Sequence, residues 1–180
     1  MHAPPAINAR WPFEGPVTVL PPDHSAARVH LEPIGREAWN YCCELACLNM
    51  GEYLRRRGQT CNTEGWMTKA ASREFFAIQF DGRRVGFASV WHDRDNDALH
   101  LGDLQIEASH RGQGIGSTTL RYIIEMASAR RLKAVTLHVF RENPALHLYR
   151  RQGFHVVDRC FDKLTLRRDV PPPAGSRNPS

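Results

Sequence analysis

Eight consecutive residues, Arg111-Gly112-Gln113-Gly114-Ile115-Gly116-Ser117-Thr118, have the composition of a phosphate-holding turn. They follow an apolar, strand-like segment, Leu99 to Ile106. They open a segment of helical period, with Leu120, Ile123, Ile124 and Ala127 at i, i+3, i+4 and i+7. A glycine-rich turn between a strand and a helix aims several backbone N–H groups at one point, and the helix N-terminus adds positive potential there.

Two common phosphate motifs fit poorly. A nucleoside-triphosphate P-loop requires a lysine after its last glycine, and this turn has none. A dinucleotide fingerprint reads Gly-x-Gly-x-x-Gly with an acid about 20 residues on. Here the spacing is Gly-x-Gly-x-Gly, and the next strand-like run, Ala134 to Phe140, has no acid.

The turn instead resembles motif A of the GNAT superfamily of acyl-CoA N-acyltransferases, Gln/Arg-x-x-Gly-x-Gly/Ala, with Arg111, Gly114 and Gly116 in its three defined positions. A second stretch strengthens the resemblance. Asn143-Pro144-Ala145-Leu146-His147-Leu148-Tyr149-Arg150-Arg151-Gln152-Gly153-Phe154 is similar to the family's Asn-x-x-Ala-x-x-x-Tyr-x-x-x-Gly-Phe, with the alanine one place early. The resemblance covers residues 73 to 160 well, and 28 to 72 only by element order.

The resemblance implies acetyl-CoA as cosubstrate and no metal. The N–H groups around Gln113, Gly114, Ile115, Gly116, Ser117 and Thr118 would hold its pyrophosphate, with Arg111 and Gly112 opening the same cofactor-binding turn. Arg111 either contacts the phosphate or is a surface residue that pairs with an acid. In the family the preceding strand bulges and splays from its neighbour. The backbone of Leu104, Gln105 and Ile106 would then bond the pantetheine arm as an added strand does. An N–H there also polarises the thioester carbonyl. Asn143 would both cap its helix and bond the pantetheine. Tyr149 stands at the general-acid position, and a phenol is protonated at neutral pH and can donate to a leaving thiolate.

The proton acceptor departs from the family's commoner patterns. Relatives with Glu-Asp before the bulge are answered here by Gly102-Asp103, so only Asp103 remains. Two other positions where relatives place glutamates are His100 and His138. Imidazole titrates near pH 6.5 and suits proton removal at pH 7. His138, His100 and Asp103 are therefore the candidates, with a water chain as the alternative. The family builds its acceptor site from the region after the first helix. Here that is Gln59 to Ser72, with Glu64, Trp66 and Met67.

The implied reaction moves the acetyl group of acetyl-CoA to a primary amine by direct attack in a ternary complex. A small-molecule acceptor is expected ahead of a peptide or protein. The rival is a non-catalytic acyl-CoA-binding module. Tyr149 argues for the enzyme, and Gly102 argues for the module.

These residues need a scaffold. Strands are expected at Arg28 to Ile34, Glu74 to Phe80, Val85 to His92, Ala98 to Glu107, Ala134 to Phe140, Phe154 to Cys160 and Lys163 to Arg168. Helices are expected at Arg36 to Arg57, in a short segment capped by Asn62 or Thr63, and at 116 to 131 and 143 to 152. Together they give an α/β fold with a GNAT-like, mixed, mostly antiparallel central sheet flanked by helices. Residues 28–168 form the catalytic domain, 1–27 a Pro-rich arm and 169–180 a tail.

Composition bounds the rest. A chain of 180 residues suits one core. No run approaches the roughly 20 apolar residues of a membrane span, and no secretory leader follows Met1. The net charge of +5 comes from scattered arginines, which argues against nucleic acid as a direct ligand. Five cysteines with no Cys-x-x-Cys pair are expected to be reduced, packed thiols in a cytoplasmic protein. A homodimer is compatible with all of this.

Overall fold

The structure, a computed structural model, describes residues 28–171. The expected arm, and the tail beyond residue 171, lie outside the described residues. The order is β1 (Val29–Ile34), a 3-10 turn (Arg36–Ala38), α1 (Trp39–Arg55), α2 (Thr63–Ala70), β2 (Glu74–Phe80), β3 (Arg83–Asp93) and β4 (Ala98–Ile106). A second 3-10 turn (Ala108–His110) leads to α3 (Ile115–Ala129), β5 (Ala134–Phe140), α4 (Ala145–Arg151), β6 (His155–Cys160) and β7 (Lys163–Asp169). The strands form one seven-stranded sheet in the order β1-β2-β3-β4-β5-β7-β6. Only the β4–β5 pair is parallel. The fold class is the one expected.

Each face has its own core. On one side Leu99 and Leu101 of β4 and Val135, Leu137 and Val139 of β5 pack with Leu120, Ile123 and Ala127 of α3 and with Tyr149 of α4. On the other, Phe75 and Phe87 pack under Cys42, Leu45 and Ala46 of α1, with Trp39 and Trp66 alongside. Strand alternation does this, because residues two apart share a face. Thr136, His138 and Phe140 thus point to the α1 side.

Three expectations need correcting. Arg36–Ala38 is a 3-10 turn, so α1 begins at Trp39. The apolar spacing of α1 points to a stripe of Trp39, Cys43, Ala46, Met50 and Leu54, but the buried residues are Cys42, Cys43, Leu45 and Ala46. The covered face is therefore wider and also takes in Cys42 and Leu45, with Asn49 and Tyr53 contacting the sheet beyond them. Cys47 and Cys61 are joined in a disulfide with Cα atoms 5.4 Å apart, so this pair is not the two reduced thiols expected. Cys42, Cys43 and Cys160 are free thiols. The spacing of 14 residues carries no recognisable motif, and the turn after α1 is what folds Cys61 back onto the helix.

Candidate functional site

The site starts at a seam in the sheet. β4 and β5 pair in parallel only from Ala98↔Ala134 to Leu101↔Leu137. Ser89 pairs with Asp103 and Val90 with Leu101, so Gly102 is an extra residue on β4, a bulge. Beyond it Leu104, Gln105 and Ile106 stay paired to β3, while their other edge has left β5. An edge of this kind presents backbone donors and acceptors for an added strand.

The glycine turn lies at the end of this edge. Gly112 and Gly114 have φ of 77° and 81°, left-handed values that glycine adopts without strain. They turn the chain so that α3 starts at Ile115. The first helical hydrogen bond runs from Thr118 N–H to the Gly114 carbonyl. The N–H groups of Ile115, Gly116 and Ser117 therefore have no acceptor within the helix, whereas that of Thr118 is already committed. Arg111 donates to the Ile106 carbonyl at 3.1 Å and to the side-chain oxygen of Asn49. It thereby ties the turn to α1. Asn49 in turn donates to the Gln105 side chain at 3.0 Å.

α4 closes the seam from the α3 side. A Cβ on Gly116 would stand 3.0 Å from Leu148, so the start of α3 and α4 are in close contact. Asn143 accepts from the Ala145 N–H at 2.9 Å, the capping role expected of it. Tyr149 is buried against the Phe154 ring. Burial, and then the Asp103 carboxylate, push its phenol above the ordinary value, so it stays protonated at neutral pH.

The three candidate proton acceptors lie on the opposite, α1-facing side. His100 and His138 stand on neighbouring strands with ring centroids 4.8 Å apart. His100 is buried, stacks on Trp91 at 4.1 Å and shares a 2.9 Å hydrogen bond with Thr136 Oγ1. Burial, then the neighbouring His138, push its pKa down to about 4. An imidazole titrating near 6.5 is therefore not what this position offers. His138 is exposed, and its pKa is lowered by desolvation and then by Lys163. Asp103 accepts from Ser89 at 2.6 Å and from Arg73 at 2.9 Å, both on Oδ2. Trp66 packs among Trp39, Phe75 and Phe87, so it anchors α2 to the sheet. The Glu64 side chain lies outside the described residues.

Sequence reasoning missed Asn49, Arg73 and Arg57. Arg57 bonds Glu142 at 2.6 Å, pairs with Asp162 and lies 3.9 Å over the Phe140 ring. Asn49 falls seven residues after Cys42 on the sheet-facing stripe, a signal that its polarity masked. Arg73 and Arg57 reach partners 30 or more residues away, which no local pattern reports.

Several known proteins are similar to this chain. The sequence pattern of the Acetyltransferase (GNAT) family matches residues 34–154. Streptothricin acetyltransferase of Streptomyces lavendulae is 40% identical over 86 residues, which are 47% of this chain and 46% of that protein. Peptidyl-lysine N-acetyltransferase YiaC of Escherichia coli (strain K12) is 27% identical over 96 residues, 53% of this chain and 59% of that one. The chain spans about half the length of the curated relatives it matches. Among solved structures, the PaiA N-acetyltransferase of Thermoplasma acidophilum in complex with coenzyme A superposes with a TM-score of 0.62 at 16% identity. It aligns over 79% of this chain and 99% of that chain. A GNAT family acetyltransferase of Elizabethkingia anophelis with acetyl-CoA bound gives 0.64 at 16% identity, over 80% and 99%. At those identities the likeness shows the fold. The match over residues 34–154, on a sheet with this seam and this turn, makes the chain a member of the GNAT acetyltransferase family.

Proposed function

We propose that this protein is an N-acetyltransferase that transfers the acetyl group of acetyl-CoA to a primary amine of a small molecule. The observation that carries the reading is the seam that opens beyond Leu101↔Leu137, with the glycine turn at its end and a buried, protonated tyrosine beside it. Pantetheine would lie along Leu104, Gln105 and Ile106, with its pyrophosphate on the N–H groups from Gln113 to Ser117 and Asn143 touching its arm. Two relatives solved with coenzyme A or acetyl-CoA share the fold. The family match over residues 34–154 supports the same cosubstrate.

In this reading the amine reaches the thioester from the α1 side. Its nitrogen forms the new C–N bond, and a β4 N–H stabilises charge on the carbonyl oxygen. The C–S bond breaks, and Tyr149 gives its proton to the departing thiolate. The amine's own proton passes to His138, directly or through water. His138 is preferred to His100 because it is exposed and less buried in apolar surroundings, so it is the stronger base. Asp103 holds the incoming ammonium group, which releases its extra proton to water before the neutral nitrogen attacks. The reaction belongs in the cytoplasm, where the thioester is supplied, and there Cys47–Cys61 meets reductant.

The streptothricin acetyltransferase relative favours a small-molecule acceptor. The peptidyl-lysine relative keeps a peptide acceptor as the second reading. The test is thiol release from acetyl-CoA with purified protein across a panel of small polyamines, amino sugars, amino acids and lysine peptides, with products identified by mass. Amine-dependent release with an acetylated small molecule supports the proposal. Acetylation of the peptides alone selects the second reading. No release with any amine, by a protein that binds acetyl-CoA, overturns both.

A further inference from the structure

Four side chains on the α1 side of the sheet form a continuous stack that no motif describes. The Arg73 guanidinium lies 4.5 Å over the Trp91 ring. Trp91 stacks at 4.1 Å on His100, and His100 stands 4.8 Å from His138. Arg73 follows α2, Trp91 is on β3, His100 on β4 and His138 on β5, so the stack crosses from the acceptor-side helix to the seam.

One end of the stack holds Asp103. Arg73 Nη1 and Ser89 Oγ both donate to Oδ2, at 2.9 and 2.6 Å. Oδ1 accepts from no described residue. Gly102 is what lets the stack close. A Cβ there would fall 2.6 Å from Trp91 Cζ3, 2.8 Å from Arg73 Nη1 and 2.9 Å from Ser89 Oγ. Real Cβ atoms do not approach so closely, so any side chain at this bulge would have to displace the stack. The place where a β4 side chain would project is taken by a guanidinium and an indole.

We propose that Arg73 is a positioning residue for the acceptor side: it fixes Asp103 through Oδ2, leaves Oδ1 for the incoming amine, and holds Trp91 against His100. A planar guanidinium can do both at once, since its edge donates and its face stacks. A lysine ammonium reaches the carboxylate but offers no face. The cation also bears on His100, whose charged surroundings are Arg73 after α2, Asp93 on β3 and His138 on β5; His138 in turn faces Asp158 on β6 and Lys163 on β7. The proposal rests on the transferase reading only for its kinetic part.

The experiment compares Arg73→Gln, Arg73→Lys and Gly102→Ala with the parent protein. The imidazole C–H resonances of His100 are titrated by NMR, and kcat and KM for the best amine are measured with acetyl-CoA saturating. In Arg73→Gln the His100 midpoint moves up, because a nearby cation is gone, and amine KM rises about tenfold, the scale of one hydrogen bond to a charged group. Acetyl-CoA affinity is unchanged. Arg73→Lys restores the His100 midpoint and restores KM only in part. Gly102→Ala, which keeps every polar group, raises amine KM in the same direction and broadens or shifts the His100 signal. It serves if Arg73→Gln fails to fold. A His100 midpoint that stays put in Arg73→Gln, or an unchanged amine KM, overturns the proposal. If no amine is acetylated at all, the transferase reading fails, and the NMR arm still decides whether Arg73 positions His100.

Discussion

The buried imidazole of His100 makes a specific demand on acid stability. In the unfolded chain it titrates near 6.5, while in the fold burial and the adjacent His138 bring it to about 4. Between those values the unfolded state binds a proton that the folded state refuses, so stability rises with pH across this window and is lost as pH falls. At about 1.36 kcal/mol per unit, the drop from near pH 6.5 to near pH 4 is about 3 kcal/mol. With His100 only 5% exposed, little of that is screened by solvent. Urea unfolding at about pH 7.5 and about pH 4.5 reads most of it, roughly 2–3 kcal/mol. His100→Gln keeps a partner for Thr136 Oγ1 and cannot titrate. It loses some packing against Trp91 at both pH values, but its stability should fall less on acidification, by that same 2–3 kcal/mol. The carboxylates held low by arginines, Asp81, Glu142 and Asp162, are common to both proteins and cancel in the difference. If both proteins lose the same stability on acidification, His100 is not held neutral by burial, and the physical account of the pair is wrong.

Three further outcomes are expected. Gly114→Val places a β-branched residue at φ 81°, which strains the turn by about 1–2 kcal/mol. Calorimetry on the folded variant should show acetyl-CoA affinity reduced at least about tenfold. Tyr149→Phe should lower kcat by about 10² to 10⁴ with acetyl-CoA affinity nearly unchanged, and turnover at the parent rate would leave Tyr149 a packing residue. Reducing the Cys47–Cys61 bond, which closes a 14-residue separation, should lower unfolding stability by about 3 kcal/mol. A Cys47→Ser/Cys61→Ser protein should show that loss without reductant and no response to it, and urea melts with and without a dithiol check both.

Much of the scaffold was readable because its signals are local. The hairpin at Asp81-Gly82, the apolar runs of β2 to β5 and the switch from period 2 to period 3.6 after Gly114 all sit within a few residues of what they specify. The turn and Tyr149 were readable by resemblance, since their spacing along the chain is what the family shares. Long-range features were not. That Arg73 meets Asp103, or Cys47 meets Cys61, depends on how α1 and α2 fold over the sheet. The covered face of α1 includes Cys43 and Ala46 of the apolar stripe, but its Asn49 and Tyr53 side was not legible because those residues are too polar to mark a buried face. His100 and His138 were found as positions, yet the depth of burial that moves His100 to about 4 is a tertiary property. Gly102 looked like the loss of a carboxylate; in the fold it is the space that Trp91 and Arg73 occupy.

The central claim is that acetyl-CoA lies in the seam between β4 and β5 with its pyrophosphate on the turn. Amide hydrogen exchange on the intact chain, with and without saturating acetyl-CoA, tests it directly. The account predicts added protection in two separated stretches at once, Leu104 to Ile106 and Gln113 to Ser117, and little change along β1 and β2. Binding of acetyl-CoA without protection in either stretch would contradict it.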